Sequence, residues 1–206
     1  MSFYRSLFGL YPHQHLVILP GADSPKGGYP VGQGVVKIHG LNVIDQRPEA
    51  WWKWIAAHEV GHMYWGFHVL DADRTSSDQL GWLTIGLGLY TDRLYAVAKG
   101  VGCQFHENRP KALEEARTAG KVVRLGLSEA EYGELDFDYN TVVRHGRAYC
   151  VVKQVAEIVG ADPFAEILSD LQGDFANREL SYEGFRRFVE EKSGERLPSI
   201  VPELEG

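Results

Sequence analysis

Three residues in one short stretch have the types and the spacing to do chemistry: His58, Glu59 and His62. On an α-helix, residues four apart lie about 40° apart around the axis and one turn apart along it. Two imidazoles placed this way can grip one Zn²⁺ at ~2.0–2.1 Å. Glu59 follows the first histidine and projects to the side of the pair. It is poorly placed as a ligand there, and well placed to take a proton from a water that the metal has acidified. This is the H-E-x-x-H arrangement. The alternative for the same residues is a histidine pair on a half-buried helix with an incidental glutamate.

A catalytic zinc commonly has three protein ligands, so a third is required. His68 lies six residues after His62, the spacing of H-E-x-x-H-x-x-G-x-x-H. Trp65 stands where that pattern has glycine, Gly66 comes one residue late, and the only methionines are Met1 and Met63. Asp71, Asp73 and Asp78 are further, individually weaker candidates, each better suited to a loop turn or a helix cap.

The elements that must position these residues follow from periodicity. Leu16 to Leu19 and Val35 to Ile38 are short apolar, β-branched runs that predict strands, and residues 23–28 read as a turn or loop. No chemistry is visible in this region. After Pro48, which suits a first helical turn, Trp51, Trp54, Ile55, His58, His62 and Trp65 fall at helical spacings, with Gly66 near the far end. A polar loop over 71–77 follows, in which Ser76 or Ser77 can cap a second helix. Leu80, Leu83, Leu87, Tyr90, Leu94 and Val97 form its buried stripe. Gly81, Gly86 and Gly88 each cost about 1 kcal/mol in a helix relative to alanine and point to close packing against a neighbour. Further helices are predicted from Pro110 to about Leu125, from Thr141 to Val159, from the Asp162-Pro163 pair to near Gly173, and from Ser181 to near Gly194.

The 206 residues suffice for one domain, or two small lobes sharing a cleft, and 44% apolar content is enough for the chain to fold alone. A formal net charge of -7 argues against nucleic acid and anionic membrane surfaces as partners. The basic group Arg144, His145 and Arg147 reads best as a solvated helix face. Two cysteines, Cys103 and Cys150, cannot form a disulfide framework and match no zinc knuckle; both read as small buried apolar residues. No run approaches the ~20 apolar residues of a membrane span, and the first residues lack the build of a signal peptide. The compartment is not legible.

Several segments resemble the catalytic domain of the aminopeptidase N family of gluzincins, which includes the leukotriene-hydrolase-like enzymes. Phe8-Gly9-Leu10-Tyr11-Pro12 is similar to its F-G-x-Y-P, and residues 58–66 to H-E-x-x-H-x-x-[FW]-G. Residues 82–90 are similar to W-L-N-E-G-x-A-x-Y, and Ser181 to Phe185 to a later T-x-x-D-F helix start. The resemblance implies an α+β, thermolysin-like metallopeptidase catalytic domain with a small β-sheet lobe and a mainly helical lobe. It implies zinc held by His58 and His62, Glu59 as the catalytic base, and a peptide or protein substrate. Residues 1–206 then form a single such domain, with a β-containing segment over 1–45, the active-site helices over 46–100 and the helical lobe over 101–206. The β-rich domain that precedes this one in the family has no counterpart, so the chain is expected to be a fragment of a longer protein or a minimal relative.

Three family positions differ. The third zinc ligand, the glutamate of W-L-N-E-G, is replaced by Ile85. The glutamate that holds the substrate's amino group aligns with Val31, and the tyrosine that stabilises the oxyanion with Val143; Tyr139 and Tyr149 are nearby hydroxyls. Losing one oxyanion donor costs ~10²–10³ in rate. Asp92 lies where the family often has an acidic residue, either orienting a metal-bound histidine or serving as an ordinary helix-surface acid. Three readings follow: a zinc peptidase with altered ligation and no standard aminopeptidase specificity, an inactive gluzincin-like scaffold that binds peptide or protein, or a helical structural module whose motif is accidental.

Overall fold

The computed structural model describes residues 1–23, 27–72, 81–101 and 104–198. Helix α1 (Ser2–Phe8) buries Tyr4 and Phe8 and ends at Gly9. Three strands follow: β1 (Val17–Pro20), β2 (Gly28–Gly32) and β3 (Val35–Ile38), ordered β1-β3-β2. The two β-branched runs are β1 and β3, paired in parallel. β2 lies antiparallel to β3, with its register shifting between Pro30 and Gly32. The sequence reading assigned no strand here, because Gly28, Pro30 and Gly32 are poor strand formers. Pro30 is accommodated because β2 is an edge strand. β3 is the central strand and buries Val36 and Ile38.

Helix α2 (Glu49–Gly61) starts directly after Pro48. Its first turns pack Trp51, Trp52, Trp54 and Ile55 around Ile38, while Ala57 and Val60 join the main core. The chain then turns through Trp65 and Gly66 into β4 (Val69–Asp71), which pairs in parallel with β5 (Arg178–Leu180). Three-residue strands are too short to show a period in sequence, and this pairing was not anticipated. The expected caps Ser76 and Ser77 lie outside the described residues.

The second helix is described from Gly81. It opens with a π-helical turn over Trp82–Leu87 and continues as α3 (Gly88–Lys99). The predicted stripe holds in part: Leu83, Leu87 and Tyr90 are buried, whereas Val97, in the last turn of α3, is 59% exposed. Helix α4 (Gln104–Thr118) begins earlier than predicted, with Pro110 inside it. The short α5 (Glu129–Gly133) is closed by a capping box between Ser128 and Glu131. A second π-helical turn, Asn140–His145, leads into α6 (Gly146–Val159), which ends at Gly160 as expected. Helix α7 (Ala161–Asp174) starts one residue before Asp162. Helix α8 (Tyr182–Ser193) is capped by Ser181, whose hydroxyl accepts from the Gly184 N–H at 3.1 Å, and ends at Gly194. Cys150 is half-buried and Cys103 lies outside the described residues. No described helix is long and apolar enough to cross a membrane.

The core joins α3, α6, α7 and α8 through Trp82, Tyr90, Val152, Phe164 and Phe185. The π-helical turn at 82–87 lies on α6 so closely that a Cβ on Gly86 would sit 2.6 Å from the Ala148 carbonyl oxygen. That contact is with backbone, which cannot swing aside. Helix propensity alone favours alanine over glycine by about 1 kcal/mol, but overpacking a tight site costs about 1–3 kcal/mol. Gly86→Ala is therefore expected to lower stability, by up to about 2 kcal/mol. A denaturant midpoint equal to or above that of the parent protein would show that the contact relaxes freely.

Candidate functional site

Helix α2 carries His58, and its C-cap residue His62 continues the same helical turn, with the two Nε2 atoms 3.2 Å apart. The rings meet edge to face, with centroids 4.7 Å apart. Two nitrogens on one tetrahedral zinc at ~2.0–2.1 Å would be about 3.3 Å apart, so the pair fits two vertices of such a site. Behind His58 stands Asp92 of α3, whose Oδ2 is 2.8 Å from His58 Nδ1. Asp92 is completely buried. The helix-surface alternative for this residue is thus incorrect, because α3 packs this face directly against α2. An ionised carboxylate only accepts hydrogen bonds, so His58 donates from Nδ1 and directs Nε2 toward His62. The other carboxylate oxygen of Asp92 receives His106 Nε2 from α4.

Glu59 is 1% exposed. It lies under β2, where a Cβ on Gly28 would come within 2.9 Å of Glu59 Oε1 and 2.6 Å of the Lys37 carbonyl oxygen. Only a residue without a side chain fits between the carboxylate and the sheet. Glu59 Oε2 has no hydrogen-bond partner among the described residues. The expectation that residues 1–45 hold no chemistry is therefore corrected: their sheet forms one wall against Glu59. Val31, in the same strand, is 52% exposed.

Burial dominates the electrostatics. It raises Glu59 to about 7, with the charge of His58 opposing and that of Asp92 reinforcing the shift. It lowers His62 to about 3, helped by neighbouring His58. Burial also acts to lower His58, but the hydrogen bond and charge of Asp92 outweigh it and hold His58 above its usual range. Asp92 itself is disfavoured as an anion by burial, yet its two imidazole partners hold it below the usual carboxylate range. His145 is lowered to about 4 by burial and by the positive charge of Arg109.

Among the other candidates, His68 does not join the site. Its Nε2 is 3.1 Å from the Gln172 carbonyl oxygen in α7, and its own carbonyl accepts from the Asn177 N–H at 2.7 Å. The turn that ends α2 carries it toward α7 and β5. Asp71 lines a cleft of ≈ 430 Å³ beside His62, together with Leu70, Thr84, Ile85 and Arg144; Asp73 and Asp78 lie outside the described residues. Ile85 faces this cleft with no donor atom. Val143 is fully buried. The Tyr139 hydroxyl is engaged with the Arg124 carbonyl oxygen at 2.6 Å, and the Tyr149 ring packs beside His106 with centroids 5.8 Å apart. Arg144 bonds Asn140 Oδ1 at 3.2 Å, His145 Nδ1 bonds the Asn140 carbonyl oxygen at 2.8 Å, and Arg147 is 7% exposed. The solvated-face expectation for this basic group is thus incorrect: the π-helical turn at 140–145 leaves Arg144 and His145 half-buried, and α6 buries Arg147. Among the described residues, no three His, Cys, Asp or Glu side chains are gathered to hold one metal ion. Sequence reasoning missed Gly28 and His106, whose separations from the motif carry no helical or strand period.

No protein-family model matches this chain, and no curated protein matches it by sequence. Among solved structures, the fold is similar to that of the M1 zinc metallopeptidase of Deinococcus radiodurans, with a TM-score of 0.63 and 18% identity over 93% of this chain and 39% of that one. A mutant of that enzyme bound to a Tyr-Ser-Ala substrate gives 0.62 and 19% over the same shares. A two-domain M1 zinc metallopeptidase mutant bound to L-tryptophan gives 0.63 and 19% over 92% and 39%. The likeness is one of fold: mixed helix and small sheet, as in part of an M1 peptidase. The chain spans 39% of the length of these structures.

Opposite shifts at Glu59 and His62 give the metal-free protein a specific pH dependence. Between about 4.5 and 7, folded Glu59 holds a proton that the unfolded chain has released, so its contribution to stability falls as pH rises. His62 has the reverse sign: the unfolded chain binds a proton below 6.5 that the folded state refuses down to about 3, so stability is lost on acidification. Glu59→Gln removes only the first term. In chelator, its stability relative to the parent is expected to improve by about 2–3 kcal/mol between pH 5 and pH 8. Parallel stability curves for the two proteins would show that Glu59 titrates normally.

Proposed function

We propose that this chain is a zinc-dependent, metallopeptidase-like hydrolase, a single thermolysin-like catalytic domain whose site is built on α2 and α3. His58 and His62 would hold Zn²⁺, which supplies a Lewis acid that polarises a carbonyl oxygen and acidifies water. The observation that carries this reading is the His58–His62 pair, 3.2 Å apart at Nε2, with Asp92 fixed behind His58. A histidine pair without a ligand role has no need of a buried carboxylate that dictates which nitrogen stays unprotonated.

Glu59 is the proton acceptor. Its pKa near 7 suits a general base working at neutral pH. Its Oε2, without a hydrogen-bond partner among the described residues, leaves an acceptor for a water proton, and Gly28 gives it a close, dry wall. The substrate is a peptide or protein, by analogy with the peptide bound to the Deinococcus enzyme. Val31 has no charge to hold a free amino group, so standard aminopeptidase specificity is not expected.

Ile85 favours a second reading. It stands in the cleft beside His62 with no lone pair to offer, as expected of a scaffold that binds peptide without cleaving it. Elemental analysis and hydrolysis separate the two. The first reading expects about one zinc per chain, lost in His58→Ala, and chelator-sensitive peptide cleavage that drops at least ~10²-fold in Glu59→Gln. Zinc binding without turnover would support the scaffold. Absence of zinc after incubation with excess metal would dismiss the hydrolase reading and leave the peptide-binding scaffold, with its histidine pair vestigial.

A further inference from the structure

Asp92 has two carboxylate oxygens and no access to water. One oxygen is taken by His58 Nδ1 at 2.8 Å. The other is taken by His106 Nε2, from a helix that carries none of the motif residues. His106 is itself fully buried, and its ring lies beside Tyr149. An anion in such a place must have both oxygens satisfied. Because the carboxylate can only accept, both imidazoles donate to it. His106 thus acts on the site through Asp92, without touching His58 or His62.

We propose that His106 is a positioning residue: it clamps Asp92 in the rotamer that faces His58 and thereby fixes the His58 tautomer that presents Nε2 toward His62. The inference rests on the reading of His58 as a metal ligand for its importance, though not for its geometry. Without His106, one oxygen of Asp92 is buried with no donor. The carboxylate then rotates away from His58 or admits water, and the His58 proton is free to move to Nε2. This also accounts for the early start of α4: the segment ahead of Pro110 is held helical by the contact that its histidine makes across to α3.

The test uses metal-free protein with ¹⁵N-labelled histidine at about pH 9, above the ordinary imidazole range. Nitrogen–proton correlation spectra report each tautomer directly. In the parent protein, His58 is expected as the Nδ1–H form and His106 as the Nε2–H form. His106→Leu is expected to give a mixture of His58 tautomers, and His106→Gln, whose amide N–H replaces the Nε2 donor, to restore the single form. Zinc titration of the same proteins is expected to show affinity about 10–100-fold weaker in the leucine variant and within a few-fold of the parent in the glutamine variant.

A folded His106→Leu protein with unchanged His58 tautomer would overturn the proposal. So would an Nδ1–H form of His106 in the parent protein, a result that requires no variant to fold. If the parent binds no zinc yet the tautomer shift occurs, the positioning role stands and the metal reading fails. If zinc binds and the tautomer never shifts, the reverse holds.

Discussion

A carboxylate with no water around it is among the most demanding groups to fold into a protein. Removing one partner from a buried charge pair costs about 3–5 kcal/mol. Asp92 is such a group, and its two oxygens are shared between His58 of α2 and His106 of α4. Three helices, α2, α3 and α4, are therefore tied at one point. The contact has direction, because only N–H groups can approach the anion. It fixes the ring of His58 as well as its proton, and through that ring it sets where the His58–His62 pair points.

Around this point the rest of the molecule supplies closeness. The π-helical turn at 82–87 lets α3 and α6 approach backbone to backbone at Gly86. The β2 strand closes on Glu59 at Gly28 in the same manner. At both places the missing side chain is what permits the approach. The aromatic residues Tyr4, Phe8, Tyr64 and Trp65 then pack between α1 and the end of α2. The Tyr4 hydroxyl donates to the Ala57 carbonyl oxygen at 2.9 Å, next to His58 in sequence. The proposed chemistry thus sits on rigid elements, as precise placement of ligand and base requires.

The fold is similar to part of an M1 metallopeptidase, and the three positions that the sequence resemblance singles out for comparison carry aliphatic side chains. Val31 is half exposed on the sheet, Ile85 lines the cleft, and Val143 is fully buried. Val143 belongs to the core. Ile85, by contrast, still faces the cavity beside His62.

The motif helix, the two β-branched strands, the cap at Ser181 and the helix ends at Gly160 and Gly194 were all legible in sequence. Each depends on interactions among residues a few positions apart: helical period, β-branching, a hydroxyl reaching the N–H three residues on, a glycine that can end a helix. The types and spacing of His58, Glu59 and His62 belong to the same local class, because a helix fixes their relative direction whatever surrounds it. What tertiary structure decided is everything that joins segments. The burial of Asp92, the approach of His106, the β2 wall at Gly28, the diversion of His68 to Gln172 and the pairing of β4 with β5 all rest on contacts between residues distant in the chain. No local preference encodes these features. They follow from the need to satisfy buried polar atoms and fill the core at once, and that condition is defined only when the whole chain is folded.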